Sequence, residues 1–96
     1  KLQPEFATIL KNAKEEKIPV KNLRPGDELL IRAGERVPAD GVILEGISEI
    51  DESLITGESM PVTKSTGANV TGGSINGNGA LRISVRAAGS ESTLAR

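Results

Sequence analysis

The chain has 96 residues, with 12 basic and 13 acidic side chains, a formal net charge of −1, and neither Cys nor His. This length suits at most one domain, and the balanced charge offers no basic surface of the kind that binds nucleic acid. The absence of Cys and His excludes disulfides and argues against a transition-metal site built from thiolate or imidazole ligands.

The N-terminal part of the chain predicts a β-hairpin followed by a tight turn. Phe6–Leu10 alternates weakly and predicts a strand, Lys11–Glu15 a turn, and Lys17–Val20 the return strand. A helix over residues 5–16 is the alternative, because Ala, Lys and Glu favour helices. Arg24-Pro25-Gly26-Asp27 predicts a type II turn, since Pro presets the second position and Gly tolerates the positive φ of the third.

The middle of the chain predicts short strands between Pro/Gly corners. The strands are predicted at Asp27–Arg32, Gly41–Glu45 and Ser48–Ile50, and the turns at Ala33–Arg36 and Val37–Gly41. In the first strand Leu29 and Ile31 share one face. The second strand carries consecutive apolar residues at positions 42–44, which predicts that it is buried.

The C-terminal third predicts three more strands. Asn69–Thr71 and Ser74–Ile75 are short, and Asn76-Gly77-Asn78-Gly79 predicts a hairpin because Asn and Gly accept left-handed φ. Ala80–Ala88 alternates, which places Leu81, Ile83 and Val85 inward. Short strands at this spacing predict an all-β fold, a small sandwich or barrel. Its core must be aliphatic, since the chain has one aromatic residue, Phe6.

The chemistry-bearing segment is Thr56-Gly57-Glu58-Ser59, within the run Asp51–Val62. Gly57 lets the backbone approach a bulky anion, and the hydroxyls of Thr56 and Ser59 can lock the turn by bonding neighbouring amides. Glu58 then stands alone on a stiff tip whose exit is fixed by Pro61. Without a second acid or a His beside it, this carboxylate suits a general base or a group that orients one water. As an isolated tetrapeptide, the segment would be an ordinary polar turn.

The wider context resembles the actuator domain of P-type cation-pumping ATPases, from Leu23 to Leu94. The matching blocks, in order, are Leu23–Asp27, Gly34–Gly41, Asp51–Ser53, Thr56–Ser59, Pro61–Lys64, Gly67 with Val70, Gly73–Asn76 and Gly79–Leu81. The similarity is greatest to heavy-metal pumps of the copper, zinc and cadmium type. Gly73-Ser74-Ile75-Asn76-x-x-Gly79 resembles copper pumps in particular. Val70-Thr71-Gly72-Gly73 also resembles a bacterial potassium pump, which is the alternative.

The resemblance implies a small distorted jelly roll, or double-stranded β-helix-like sandwich, and a defined task for the loop. In this family an Asp of a separate domain is phosphorylated by ATP. The resemblance implies that Glu58 positions and partly deprotonates the water that hydrolyses this aspartyl phosphate. Thr56 and Gly57 would shape the loop against the phosphoryl group, and Ser59 would hold Glu58. ATP, Mg²⁺ and the transported metal would bind elsewhere in the pump, so no cofactor or metal site is expected in this chain.

The organisation expected from this resemblance is one actuator domain, residues 1–96, excised from a larger membrane pump. The chain begins at Lys1 without Met, and Ser90–Arg96 predicts a capped helix start that is cut short. The expected partners are the phosphorylation and nucleotide-binding domains and the membrane helices of the same protein. We expect the isolated piece to be monomeric, inactive, and derived from the cytoplasmic side of the cell membrane. The competing hypothesis is a free-standing β module that only binds a partner, with Glu58 incidental.

Other charged residues have alternative predicted roles. Asp40 either stabilises its turn or contacts another domain. The acidic pair Asp51-Glu52 either bonds backbone amides at the base of the loop, which we favour for Asp51, or docks on a basic patch. Lys64 either pairs with a phosphate or acid of another domain or is a solvated surface lysine. Arg82 and Arg86 are expected on the solvent-facing side of their strand.

Overall fold

The computed structural model of the chain describes residues 6–87. The polar lead-in Lys1–Pro4 and the helix start predicted at Ser90–Arg96 lie outside the described residues. The elements in chain order are β1 Phe6–Lys11, β2 Lys14–Pro19, a 3-10 turn Val20–Asn22, β3 Glu28–Ile31, β4 Asp40–Glu45, β5 Ile47–Asp51, α1 Ser53–Thr56, β6 Val62–Ser65, β7 Asn69–Val70, β8 Ile75–Asn76 and β9 Leu81–Ala87.

These strands form two antiparallel sheets. The larger sheet has six strands in the order β2-β1-β3-β9-β4-β7, and the smaller has three in the order β6-β5-β8. One hydrophobic cluster joins them, because it contains Leu29, Ile43 and Ile83 of the larger sheet and Ile50 of the smaller one, all at most 1% exposed. The predicted all-β sandwich class is confirmed.

The strand faces follow the alternation of the sequence. On β9, Leu81, Ile83 and Val85 are buried, whereas Arg82 and Ser84 are partly exposed. On β4 only Ile43 of the apolar run 42–44 is buried, and its neighbours are half-buried. The predicted strand is confirmed, and its burial is confined largely to one face. The reason is that β4 lies in an antiparallel sheet with one face on the core and the other toward solvent.

The predicted N-terminal hairpin is confirmed, and its turn is tighter than predicted. Strand β1 pairs antiparallel with β2 through Lys11 and Lys14. Only Asn12 and Ala13 lie between them, with φ of 54° and 65°, the pattern of a type I′ turn whose twist matches that of the flanking strands. Strand β2 is an edge of the larger sheet, and its Lys-Glu-Glu-Lys segment, residues 14–17, is exposed. The predicted Pro/Gly turn before β3 is also confirmed, with Gly26 at φ 97°.

The predicted hairpin at Asn76-Gly77-Asn78-Gly79 is wrong. Strand β8 pairs with β5 in the smaller sheet, whereas β9 pairs with β3 and β4 in the larger one, so this segment crosses between sheets. The Asn76 side chain is fully buried, and its Nδ2 donates to the carbonyl oxygens of Ile31 (3.1 Å) and Gly79 (2.6 Å). A Cβ at Gly77 would lie 2.5 Å from the Glu49 carbonyl oxygen. The Asn and Gly residues therefore allow this segment to pass close to the backbone of β5, rather than forming a left-handed turn.

Gly79→Ala is expected to destabilise the chain by about 2–3 kcal/mol, because the added methyl would overlap the Ile47 carbonyl oxygen, a backbone atom that cannot rotate away. Gly34→Ala is the matched control. Its φ is 84° and its Cβ would meet nothing within 4 Å, so backbone strain alone should cost about 1 kcal/mol. Urea unfolding of both variants measures the difference. An equal loss in the two would contradict the close-crossing interpretation.

Candidate functional site

The Thr56–Ser59 segment lies in the loop that joins β5 to β6. These two strands pair antiparallel, with Ile50 opposite Val62, so both ends of the loop are fixed by the smaller sheet. Strand β6 was not predicted, because its sequence Val-Thr-Lys-Ser has no clear period and three of its four residues are exposed. The loop is therefore held at both ends by strands of the domain.

The first part of the loop is a short helix, α1, rather than the simple turn that was predicted. The Asp51 Oδ1 accepts a hydrogen bond from the Ser53 N–H (2.9 Å), as expected for an acid at the base of the loop. The Glu52 carbonyl oxygen accepts from the N–H groups of Ile55 (2.8 Å) and Thr56 (2.9 Å). The sequence does carry a signal for such a helix, because a capping acid precedes a short apolar run and a glycine follows it.

Gly57 ends the helix. Its φ is 81°, in the left-handed region, and its N–H donates to the Ser53 carbonyl oxygen. This is the usual conformation of a residue that follows a helix, and Gly adopts it without steric cost. A Cβ at this position would meet nothing within 4 Å. The glycine therefore shapes the loop, and the space beside it is open.

The Thr56 hydroxyl locks the turn that leads to Glu58. Its Oγ1 accepts from the Glu58 N–H (3.1 Å) and donates to the Glu52 carbonyl oxygen (3.2 Å). Within residues 6–87 the Ser59 hydroxyl makes no hydrogen bond. The locking role predicted for the two hydroxyls is thus filled by Thr56 in this structure.

The Glu58 side chain has no polar partner among the residues that the structure describes. Every residue from Leu54 to Thr63 is exposed, and the Glu58 side chain forms no ion pair or hydrogen bond with another described residue. The Glu58 backbone N–H is held by Thr56, whereas the carboxylate makes no contact of this kind with the described residues. The loop tip therefore carries one acidic side chain that is exposed to solvent.

Lys64 has a partner inside the chain, contrary to both predicted alternatives. Its Nζ lies 2.7 Å from Glu52 Oε2, and the two side chains are 19% and 15% exposed. The same Nζ donates to the Asn69 carbonyl oxygen (2.7 Å). Lys64 is therefore neither a solvated lysine nor a free cation, and Glu52 has a structural role. The sequence pattern does not reveal this pair, because residues 52 and 64 approach each other only once the loop closes.

Asp40 and Arg82 also make contacts within the domain. The Asp40 Oδ1 accepts from the Gly72 N–H (2.7 Å), so it fixes a distant loop rather than its own turn. Arg82 faces the partly exposed side of β9, as predicted, and forms ion pairs with Glu28 (3.0 Å) and Glu45 (3.2 Å). Both residues stabilise the domain, and neither lies in the loop.

Asp51 is expected to make the stability of the chain depend on pH. Hydrogen bonds from the backbone and then the side chain of Ser53 hold the pKa of Asp51 below its usual value, because they favour the charged carboxylate. Its stabilising contribution is therefore complete above the unfolded pKa of about 3.9. It is lost as the pH falls through the lower pKa of the folded state.

The measurement is the urea midpoint between about pH 6 and pH 2. Asp51→Asn should flatten the loss of stability at the acid end of this range. Glu49→Gln removes an exposed carboxylate of the same strand as the control. If the urea midpoint of Asp51→Asn fell with decreasing pH as steeply as that of the wild type, the hydrogen bonds from Ser53 would not contribute to stability.

Within residues 6–87, no helix is long and apolar enough to cross a membrane. In the same part of the chain, no group of three or more acidic side chains is placed to hold a metal ion.

The chain belongs to the P-type ATPase actuator domain family, whose model matches residues 1–96. Three of its relatives are heavy-metal transporters. It is 44% identical to a probable cobalt/nickel-exporting P-type ATPase of Mycolicibacterium smegmatis, over 99% of this chain and 15% of the relative. It is 47% identical to a zinc-transporting ATPase of Bacillus subtilis, over 95% and 14%. It is 43% identical to copper-exporting P-type ATPase B of Archaeoglobus fulgidus, over 98% and 14%.

A solved structure supports the same assignment. A zinc-transporting PIB-type ATPase in an E2.Pi state matches with a TM-score of 0.90 and 39% identity, over 97% of this chain and 15% of that chain. The predicted resemblance to heavy-metal P-type ATPases is thus confirmed. The chain spans about a seventh of the length of the relatives it matches.

Proposed function

We propose that this chain is the single actuator domain of a heavy-metal-transporting P-type ATPase, and that its Thr56–Ser59 loop drives hydrolysis of an aspartyl phosphate on another domain. The observation that carries the proposal is the state of Glu58. Its carboxylate is exposed and unpaired within residues 6–87, while hydrogen bonds through Thr56 restrain its backbone. Such a carboxylate is available to a reacting group on another domain.

The proposed step is attack of water on the phosphorus of the aspartyl phosphate. The water oxygen forms a bond to phosphorus as the bond to the aspartyl oxygen breaks, and the Asp leaves as a carboxylate. The Glu58 carboxylate accepts the water proton and later releases it to solvent. Positioning the water in line contributes up to about 7–11 kcal/mol, and a proton acceptor adds about 10²–10⁴-fold in rate.

The other loop residues would prepare this encounter. Thr56 fixes the Glu58 N–H, and Gly57 leaves open space on the side where a phosphoryl group would approach. We assign Ser59 the task of holding Glu58 in the docked state. A carboxylate beside a phosphate is repelled, so it should approach only when hydrolysis is required. Rigid-body rotation of the domain would determine when Glu58 reaches the phosphate.

The partners proposed are the phosphorylation and nucleotide-binding domains and the membrane helices of the same protein. ATP and Mg²⁺ would bind to those other domains, and the actuator domain would lie on the cytoplasmic side of the cell membrane. The whole pump would be the ATP-hydrolysing cation translocase, whereas this chain alone would be monomeric and inactive. Support comes from relatives that are about seven times longer than the chain and named as P-type ATPases.

Copper is the transported ion we propose. Its support is the segment Gly73–Gly79, which resembles copper pumps, together with the similarity to a copper-exporting relative. Ser74 and Asn76 of this segment are buried and bond within the domain. Zinc and cobalt/nickel relatives are equally similar, and the ion site would lie in membrane helices outside this chain.

The proposed function is tested by the lifetime of the phosphoenzyme in the full-length pump. With Glu58→Gln, the phosphoenzyme should form in the presence of Cu⁺ and then persist. Decay at the wild-type rate would refute the role of Glu58. If the phosphoenzyme formed with Zn²⁺ or Co²⁺ but not with Cu⁺, copper would be refuted as the transported ion, and the role of Glu58 would be unaffected.

A further inference from the structure

We propose that Lys64 is a positioning residue for Glu58, which it holds in place through an ion pair with Glu52. Neither residue would touch the aspartyl phosphate itself. The inference deepens the proposed function and rests on it, because it concerns how the same loop is held. The Lys64–Glu52 pair would thus contribute to dephosphorylation by positioning Glu58.

The Lys64–Glu52 pair differs from the other ion pairs of the described residues by its burial. Its side chains are 19% and 15% exposed, whereas those of Arg32 and Glu15 are both 49% exposed. Exposed pairs are screened by solvent and contribute little. A pair that is largely removed from water is coupled more strongly and loses more when one partner is removed. Lys64 is therefore placed to restrain the loop.

A path of hydrogen bonds, joined through the side chain and backbone of Glu52, leads from Lys64 to Glu58. The Lys64 Nζ binds Glu52 Oε2 (2.7 Å). The Glu52 carbonyl oxygen accepts from both the N–H (2.9 Å) and the hydroxyl (3.2 Å) of Thr56. The Thr56 Oγ1 in turn accepts from the Glu58 N–H (3.1 Å). A displacement of the Glu52 backbone would therefore be passed through Thr56 to the acid at the tip.

Lys64 also ties the loop to the rest of the domain. It lies on β6, where the chain leaves the loop, and Glu52 lies where the chain enters, so the pair spans the base of the loop. The Lys64 Nζ donates to the carbonyl oxygen of Asn69, on β7 of the larger sheet. If the domain rotates as a rigid body, this contact keeps the loop fixed relative to the larger sheet during the rotation.

The chemistry of the side chain fits this role. An ammonium group has three donors, and Lys64 uses two of them on partners in different sheets or loops. Methionine has a similar length but no donor, so Lys64→Met would leave the Glu52 carboxylate half-buried without its cation. That carboxylate would turn toward water and loosen the start of α1. Arginine keeps the charge and the donors.

The experiment is phosphoenzyme formation and decay in the full-length pump carrying Lys64→Met. Formation should match the wild type, and decay should be about tenfold slower, because small displacements of a catalytic group reduce rates steeply. Lys64→Arg should restore decay to within about threefold of the wild type. Lys17→Met, an exposed lysine on β2, is the matched control and should decay normally.

A second variant tests the path itself. Glu52→Gln keeps the shape of the partner but removes its charge, and it should also slow decay while leaving formation intact. The double variant with Lys64→Met should be no slower than Lys64→Met alone, because both changes interrupt one path.

Four results separate the possibilities. Wild-type decay in Lys64→Met overturns the inference if Glu58→Gln still traps the phosphoenzyme in the same assay. Equal slowing of formation and decay overturns it too, because it would show that the substitution impairs the whole cycle rather than dephosphorylation. Additive slowing in the double variant would mean that Glu52 does not transmit the effect. Wild-type decay in Glu58→Gln would instead refute the proposed function.

Discussion

Replacing Glu58 by Gln in the full-length pump is expected to slow dephosphorylation by about 10²–10⁴-fold, the usual contribution of a general base. Glutamine keeps the length and shape of the side chain but cannot accept the water proton. Since the Glu58 side chain has no partner within residues 6–87, the substitution should leave the domain itself intact. Formation of the aspartyl phosphate should therefore proceed normally, and the phosphoenzyme should accumulate.

The measurement is the decay of the labelled phosphoenzyme after a chase with unlabelled ATP. Glu58→Asp retains the base but withdraws it by one methylene, so its decay should fall between those of wild type and Glu58→Gln. Glu49→Gln is the matched control, because Glu49 is an exposed acid on β5, away from the loop tip. If Glu49→Gln slowed decay as much as Glu58→Gln, loss of surface charge rather than loss of a base would be responsible.

Ile83→Ala is expected to destabilise the chain by about 2–5 kcal/mol. Ile83 is 0% exposed, and it lies on β9 between Leu29 of β3 and Ile43 of β4. Truncation removes apolar contacts and leaves a cavity in the centre of the larger sheet, where close packing limits collapse. A domain of this length has a total stability of roughly 5–15 kcal/mol, so the loss is a large share of it.

The matched control is Ile47→Ala, the same chemical change on a side chain that is 63% exposed. Its expected cost is within about 0.5 kcal/mol. Urea unfolding followed by circular dichroism measures both variants, since the chain contains no Trp or Tyr for fluorescence. Comparable losses in the two would mean that the cluster around Ile83 is not the main core.

Local chemistry was enough to predict the parts of the fold that depend on neighbouring residues. The alternation in β9 correctly placed Leu81, Ile83 and Val85 in the core, because period-two burial is a property of any half-covered strand. The Pro25-Gly26 turn was predicted because these residues restrict φ in themselves. The β class follows from the same two kinds of signal.

The parts that depend on distant residues were not predictable in this way. Gly77 and Gly79 resemble turn glycines in sequence, and only the passage of β5 beside them explains why a side chain is excluded. Strand β6 exists because it pairs with β5, rather than because of its own pattern. Of the site, the Thr56–Ser59 loop was identified from its residues and from the resemblance. The Lys64–Glu52 pair was missed, because it forms across a closed loop.

The edges of the larger sheet have a consequence for how such a domain behaves in a crowded cell. Among residues 6–87, its outermost strands are β2, which exposes a Lys-Glu-Glu-Lys segment, and β7, which has two residues. Charged or very short borders of this kind discourage strand addition by another polypeptide. If the domain rotates within the pump as proposed, these borders would protect it from pairing with a neighbouring polypeptide.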